Sequence, residues 1–458
     1  MLQKQAHNVH SSRQWTRTMR CILALVCLAS VCNAGFGQEI RSGIPEPGLE
    51  LLYLPDLVIS NARIIDGTGR VVEQGSIVVR GGTIASVSAN PVGAEAPVYI
   101  DAAGMTVLPG FIDTHRHLLP SQFINSDAAL GRWLEDRLPA ELQNYLAAGI
   151  TTIMSTGDYF PAILEVRRRI EAGELQGPRL LSVGSNFSAP SGHPSVSVFA
   201  NNPWGRMLHT NALADPEAAR AKVRELVDAG VDAIKVIYDG GQNDVWPRLD
   251  DAVLAAIADE ARAHDLPTMV HVHGVAELLT AVELGARRFV HTPYRGSITD
   301  TQAGRLLRDE SIPIATTAGI RAPIIDAAGI IGNTAGAGRV SFDPIRQAYL
   351  AQTLANVRQL WDAGVIVAFG TDTASLRPAA AIAHEIRTLS EVLSEEEIIT
   401  ALTRNAAQFL GLGDDIGTLE PDKFADIVIV DGDPLTDISV LANVAVVIQR
   451  GKVVVDNR

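Results

Sequence analysis

The chain has 458 residues, 47% of them hydrophobic, and 39 glycines, so it is too long for one small core and points to one large domain with a smaller companion. A formal net charge of −14 argues against a nucleic-acid partner, because an acidic surface repels phosphates. The acidity says little about the charge of a small substrate, since a bound metal would dominate the local field.

The first segment reads as an export signal rather than as part of the fold. Lys4, Arg13, Arg17 and Arg20 precede the apolar run CILALVCLASV, Cys21 to Val31, and the small residues of CNAGFGQ follow. That order is typical of a secretory signal, and the run is too short to span a bilayer. Residues 1–37 are therefore expected to be removed, leaving an exported protein, periplasmic or secreted, with no stable membrane anchor. Cys21, Cys27 and Cys32 all fall here, so the mature chain is expected to lack thiols, disulfides and cysteine metal ligands. Loss of the four cations takes the net charge from −14 to −18.

Residues 56 to 106 alternate short β-rich runs with turns: DLVISNARIID, GSIVVRGGTIASV and APVYIDAAG. The middle of the chain then repeats one grammar, an amphipathic helix, a glycine and a short apolar strand. It appears as NYLAAG-ITTIMS at Gly149, RELVDAG-VDAIKV at Gly230, TAVELG-ARRFVH at Gly285 and QLWDAG-VIVAFG at Gly364. A glycine just past a helix end supplies the left-handed C′ residue. Asp215-Pro216 and the pair Ser394 and Glu397 supply helix starts. The strands are apolar on both faces, as parallel strands covered by helices must be.

Eight candidate strands follow from this pattern: VLPGFIDTH, ITTIMST, RLLSVGS, DAIKVI, TMVHVH, RFVHT, IPIATT and VIVAFGT. The economical architecture is α/β, a (β/α)₈ TIM barrel over residues 107–415. An open doubly wound sheet is the alternative, but no G-x-G-x-x-G follows the first strand. The tail returns to β-rich runs in ADIVIVDGDPL and VAVVIQRGKVVV. Neither flank suffices for a sandwich alone, so residues 38–106 and 416–458 are expected to pair as one composite β-sandwich with the barrel inserted between them.

In a barrel of this type the working groups sit at the C-terminal ends of the strands. Those positions hold His115 and His117 in FIDTHRH, Lys235 in DAIKVIYDGG and His271 and His273 in MVHVHG. His291 in FVHTPY and Asp372 in FGTDT complete the set. In a strand, residues i and i+2 share a face, so Asp113, His115 and His117 point together. A lone histidine at a strand end is usually structural, and a lone lysine often snorkels to solvent. Six or seven such groups at one end of successive strands are a site, because buried histidine and lysine cost free energy unless paired.

These motifs resemble those of the amidohydrolase superfamily, in particular its prolidase-like and imidazolonepropionase-like branch. FIDTHRH is similar to the family's paired histidines, AIKVIYDGG to its lysine motif, MVHVHG and FVHT to its later histidines and FGTDT to its aspartate. The resemblance covers residues 56 to 458. It implies that His115, His117 and Asp372 hold one metal, that His271 and His291 hold a second, and that Lys235 bridges them as a carbamate formed with carbon dioxide. With nitrogen and oxygen donors and no sulfur, Zn²⁺ fits best. A metal-bridging hydroxide would attack a carbonyl, with Asp372 as general base and then acid. His273, sharing the face of His271, joins the catalytic group as a residue that orients a ligand or touches substrate.

Family deaminases, typically with one metal, carry a glutamate three residues after a strand-end histidine. Here those positions are Gly274 and Ala276, and Glu277 is out of step, which with Lys235 favours a binuclear hydrolase. The expected substrate is a dipeptide, an N-acyl amino acid or a similar amide bearing a carboxylate. The alternatives are a cyclic amide, imide or lactone opened by the same centre, a mononuclear deaminase, and a non-catalytic scaffold. Tyr159, His193, Tyr238, Arg295 and Arg321 are candidate substrate contacts, with either arginine able to grip a carboxylate. Arg116 alternates away from the metals and is expected to meet a carboxylate at the barrel mouth or sandwich. The irregular stretch from Phe187 to Asn211 is expected to be a lid, with Trp204 and Met207 as an apolar wall, or a contact in a homo-oligomer.

Overall fold

The computed structural model describes residues 55–90, 92–93, 96–121, 123–241, 244–298, 301–325, 331–332, 344–372 and 376–458. The expected export segment, with its three cysteines, lies outside them. The first strands are β1 (Leu57–Ile65), β2 (Val71–Arg80), β3 (Thr83–Ser88), β4 (Val98–Asp101) and β5 (Thr106–Pro109). β1, β2 and β3 form an antiparallel meander that pairs Leu57 with Val79 and Ile77 with Val87. β4 and β5 both lie parallel to β1.

At Gly110 the chain changes sheets. Gly110 N donates to Asp426 O at 2.8 Å, and Phe111 N donates to Gly149 O at 3.0 Å. The run VLPGFIDTH, expected to be one strand, is therefore two. A side chain at the junction would not fit, because a Cβ there would lie 2.2 Å from Thr151 Oγ1.

Beyond the junction, β6 (Phe111–Arg116), β7 (Ile150–Ser155) and β8 (Arg179–Ser182) make a three-stranded parallel sheet. Next come β9 (Asn186–Ser188), β10 (Thr210–Ala212), β11 (Ile234–Ile237), β12 (Thr268–His271), β13 (Arg288–Phe289) and β14 (Ile314–Ala315). A separate short hairpin, β15 (Ile324–Ile325) with β16 (Ile331–Gly332), precedes β17 (Val367–Ala368). A second parallel sheet runs in the order β10-β9-β11-β12-β13-β14-β17. Backbone bonds reach between the two parallel sheets at both margins, Thr114 N to Phe369 O at 3.1 Å and Asp232 N to Ser182 O at 2.9 Å.

Local chemistry explains the helix–strand alternation. Gly149, Gly230, Gly285 and Gly364 all have positive φ, 81°, 84°, 103° and 78°, which only glycine adopts without strain. Asp215 caps Ala218 N with Pro216 behind it, and Ser394 with Glu397 completes a reciprocal capping box. β7, β11 and β12 are buried at every residue, as strands covered on both faces require.

The tail supplies β18 (Ile427–Val430), β19 (Val444–Gln449) and β20 (Lys452–Asp456). β18 lies antiparallel to β5, with Ile427 opposite Pro109 and Val430 opposite Thr106, so both flanks join in one eight-stranded sheet. Its core gathers Ile59, Ile77 and Val107 with Ile427, Ile429 and Val446. The stretch from Phe187 to Asn211 is more regular than expected. β9 and β10 pair in parallel across it, and a helix, Pro203–His209, lies between them, capped by the Asn202 side chain on Gly205 N. Trp204 packs on the Tyr159 ring at 5.1 Å, whereas Met207 is exposed. Among the described residues, no helix is long and apolar enough to cross a membrane.

Candidate metal centre

The strand ends bring His115, His117, His271, His291 and Asp372 together. Asp372 Oδ1 lies 3.4 Å from Nε2 of both His115 and His117, and Oδ2 lies 4.0 Å from His291 Nε2. The His291 ring is 4.8 Å from that of His115 and 4.4 Å from that of His271. Three of the four histidines are held from behind. His115 Nδ1 donates to Val290 O at 3.0 Å and His117 Nδ1 to Gly157 O at 2.6 Å. His291 Nδ1 pairs with Thr317 Oγ1 at 2.8 Å. A carbonyl can only accept, so His115 and His117 each carry a proton on Nδ1, which turns Nε2 toward Asp372 as a metal ligand requires. His271 Nε2 is buried and, among the described residues, makes no hydrogen bond.

Electrostatics point the same way. Burial, reinforced by neighbouring cations, pushes His115 down to about 3, and it pushes His271 and His291 well below the usual imidazole range. These rings are neutral at pH 7 and free to coordinate. Burial would also lower His117, but its hydrogen bond to Asp372 and that carboxylate's charge raise it instead. Burial would raise Asp372, but His115, His117 and Lys235 hold it well below the carboxylate range. Two further features mark strain at the site. Asp372 and Thr317 both have positive φ, 48° and 44°, in the left-handed region that a β-branched threonine rarely enters. Asp372 N is tied to His115 O at 2.9 Å and Thr317 N to Gly370 O at 3.1 Å, which keeps both turns in place.

Lys235 is 2% exposed, and no hydrogen bond or ion pair holds its amine among the described residues. Burial draws its pKa down from 10.5 to about 8, with the Asp372 charge working the other way.

Other expected residues land elsewhere. Asp113 does not join the histidines; it accepts from Thr371 N at 3.0 Å and Thr371 Oγ1 at 2.7 Å. Arg116 is buried and, among the described residues, donates to the Tyr145 hydroxyl, Thr371 Oγ1 and Leu376 O, with Asp113 and Glu141 in its electrostatic reach. Tyr238 does not reach the site with its phenol, which donates to Asp251 at 2.6 Å, and Tyr159 donates to Ile124 O at 2.8 Å. Arg295 is drawn to Asp239 at 3.3 Å and Glu277 at 3.2 Å, which also keeps Glu277 engaged away from the histidines. His193 does reach the site: its ring lies 5.3 Å from that of His271 and stacks on Trp246. Arg321 lies over the Tyr294 ring at 4.3 Å, and Tyr294 neighbours His273 at 5.1 Å.

Sequence reasoning passed over three residues. Asp239 sits 3.1 Å from His273 Nδ1 and 3.7 Å from His271 Nε2, forming a second group able to hold a cation beside that of His115, His117 and Asp372. It had a signal, an acid at a strand end in IYDGG. Thr317 and His209 had none: His209 Nε2 shares Gly157 O with His117, at 3.0 Å. Two clusters of imidazoles with a carboxylate each suit divalent metals.

Residues 106–454, well over half of the chain, match the model of the amidohydrolase family. The chain belongs to that family. It is accordingly a hydrolase acting on carbon–nitrogen bonds, in the prolidase-like and imidazolonepropionase-like branch. Among curated relatives, ochratoxinase of Aspergillus niger is 25% identical over 420 residues, 84% of this chain and 82% of its own. The imidazolonepropionase of Caldanaerobacter subterraneus subsp. tengcongensis is 25% identical over 413 residues, 79% of this chain and 84% of its own. A solved Xaa-Pro dipeptidase with methionine bound in its active site superposes with a TM-score of 0.71 at 23% identity, over 87% of this chain and 99% of that one, a likeness of fold.

Proposed function

We propose that this amidohydrolase is binuclear and cleaves the amide bond of a dipeptide, an N-acyl amino acid or a similar carboxylate-bearing amide. His115, His117 and Asp372 would hold one divalent cation, His271 and His291 the other, and Lys235 would link them once carboxylated on its amine. Lys235 carries the reading. A buried lysine with no partner among the described residues, within electrostatic reach of His115, His271 and His291, is a cost to the fold as an ammonium. With a pKa of about 8 its amine is partly free at neutral pH. Attack of that nitrogen on carbon dioxide forms one N–C bond, releases one proton and leaves an anionic oxygen donor. The donor set then contains nitrogen and oxygen only, which favours zinc.

When bound, two such cations acidify a water and polarise the scissile carbonyl. Asp372 remains ionised through the neutral range and can accept a proton on one oxygen. A weakly basic carboxylate holds that proton loosely, which suits passing it to the departing amine. His273, oriented by Asp239, and His193, stacked on Trp246, flank the cluster where substrate would lie. Glu277 is engaged by Arg295, which gives a deaminase reading no proton shuttle. The accompanying architecture is a closed (β/α)₈ barrel, supported by the Thr114–Phe369 and Asp232–Ser182 bonds, with a composite β-sandwich made by the flanks. Residues 1–37 complete the reading as an export signal.

The test is amine release by zinc-reconstituted protein from a panel of dipeptides, N-acyl amino acids and cyclic imides, with metal content measured in parallel. Wild type should hold two zincs per chain and turn over open-chain amides. Lys235→Ala should hold one and lose at least ~10³-fold in kcat, given what a metal-generated nucleophile contributes. Equal metal content and equal turnover in the variant reject the binuclear reading.

A further inference from the structure

The carbonyl behind His117 belongs to a residue with no side chain to hold it. Gly157 has a φ of 137°, where L side chains are rarely found, and a Cβ there would run into the Asn186 side chain. Its oxygen accepts from His117 Nδ1 at 2.6 Å and so decides how that ring is presented. The N–H end of the same peptide is fixed, since Asp158 N donates to Gly184 O at 2.9 Å. The Asp158 carboxylate steadies the chain just after His117, accepting from Leu118 N and Leu119 N at 2.9 Å each. Among the described residues, the carbonyl end has one other bond, from His209 Nε2 at 3.0 Å.

Stability alone gives no reason for a histidine at 209. The residue is 6% exposed, its ring lies 4.6 Å from that of Phe199 and 6.4 Å from that of Tyr159, and burial, with the charge of His117, pushes its pKa down to about 3. The ring is therefore neutral and has one N–H, which the carbonyl places on Nε2. Nδ1 is left as a bare acceptor, buried, with no donor to it among the described residues. That costs free energy, and a methionine in the same aromatic surroundings would avoid the cost. The ring is also set firmly. It ends the helix Pro203–His209, whose Leu208 O accepts from Phe160 N at 3.0 Å. Asn202, at the helix start, donates to Ser121 O at 3.0 Å and Ile124 O at 2.8 Å. The helix is thus bolted to the turns that follow both β6 and β7.

We infer that His209 is a positioning residue for the cation of His115, His117 and Asp372: it pins the Gly157 carbonyl that aims His117, and the stretch from Phe187 to Asn211 is a brace for that half of the centre rather than a lid. This rests on the binuclear reading above. His209 acts through the shared carbonyl, since its ring lies 6.0 Å from that of His117 and its one N–H is spent. Fixing the acceptor behind a metal-bound imidazole fixes the direction and protonation of the ring. The other half is supported elsewhere, with His291 Nδ1 on Thr317 Oγ1 at 2.8 Å, so the brace serves one cation.

The experiment compares wild type, His209→Met and His209→Gln by competition of the zinc-loaded proteins with a chromophoric chelator, and by melting of the metal-free proteins. His209→Met should bind one cation roughly 10–100-fold more weakly and the other within about twofold of wild type. Its metal-free form should melt at or above the wild-type temperature, because the unpaired Nδ1 is gone. A glutamine amide can place an N–H near the former Nε2, so His209→Gln should recover to within about threefold of wild type. In a His117→Ala background, His209→Met should weaken neither cation further, since the ligand it acts through has been removed. Wild-type affinity for both cations in His209→Met, an equal loss in His209→Gln, or a further loss in the His117→Ala background overturns the assignment. A metal-free His209→Met that melts well below wild type makes His209 a structural residue and overturns it as well. If wild type binds a single cation that His209→Met weakens and His209→Gln restores, the brace stands and the binuclear reading fails.

Discussion

The two halves of the metal centre are built differently. His115, His117 and Asp372 are complete as translated, with two imidazoles whose tautomers are set by carbonyls and a carboxylate 3.4 Å from each. His271 and His291 have no carboxylate of their own at that distance; Asp372 is 4.0 Å from His291, and Asp239 is 3.7 Å from His271 but already serves Gly241 N and Arg295. Lys235 is within electrostatic reach of His115, His271, His291 and Asp372, a cation where a metal would want an anion. Under the proposed binuclear reading the first half is finished by folding, whereas the second would need carboxylation of Lys235.

Three measurements sharpen or break that contrast, in falling order of effect. Asp372→Asn removes the carboxylate of the finished half, and kcat in the metal-loaded enzyme should fall by about 10³-fold, within the range of general acid–base loss. Rapid-quench turnover within tenfold of wild type would mean that the first half is not where the proton moves.

The next concerns the metal-free protein. Lys235 has a pKa near 8 in the fold against 10.5 outside it, so between these values the unfolded chain binds more protons. Stability therefore rises with pH across that window, and the full penalty of the buried cation is present below pH 8. Lys235→Met should be more stable at pH 7 by on the order of 3 kcal/mol and lose the rise between pH 8 and 10.5. Urea unfolding reads both, and a less stable variant would show that the lysine is structural.

Thr317→Val keeps the shape of the side chain and removes the oxygen behind His291. Competition with a chromophoric chelator should show one of the two cations bound roughly 10–100-fold more weakly and the other within twofold. Equal weakening of both would mean that the halves are not separately supported.

Much of this was legible in the chain before folding, because spacing encodes faces. Helix, glycine and apolar strand recur with the glycines left-handed as the pattern requires, and the polar groups at the strand ends are the ones the structure gathers. The flanks pair through β5 and β18, as their β-rich runs on either side of the helix–strand segment suggested. Alternation misled where strands were short. Asp113 shares a face with His115 yet binds Thr371, and His273 lies past the last paired residue of β12.

What the tertiary structure alone decided is who faces whom. The partner that sets the His115 tautomer is 175 residues away, and the aspartate of its own half is in the last core loop. No local signal separates Arg295 from Arg321, two arginines just beyond strand ends. One is consumed by Asp239 and Glu277, and the other lies over the Tyr294 ring. The same holds for Tyr238 and Tyr159, whose hydroxyls are spent on Asp251 and a backbone carbonyl. Periodicity specifies which side of an element is buried, because it is a property of one segment. Hydrogen-bond satisfaction is a property of pairs brought together by packing, so no single segment encodes it.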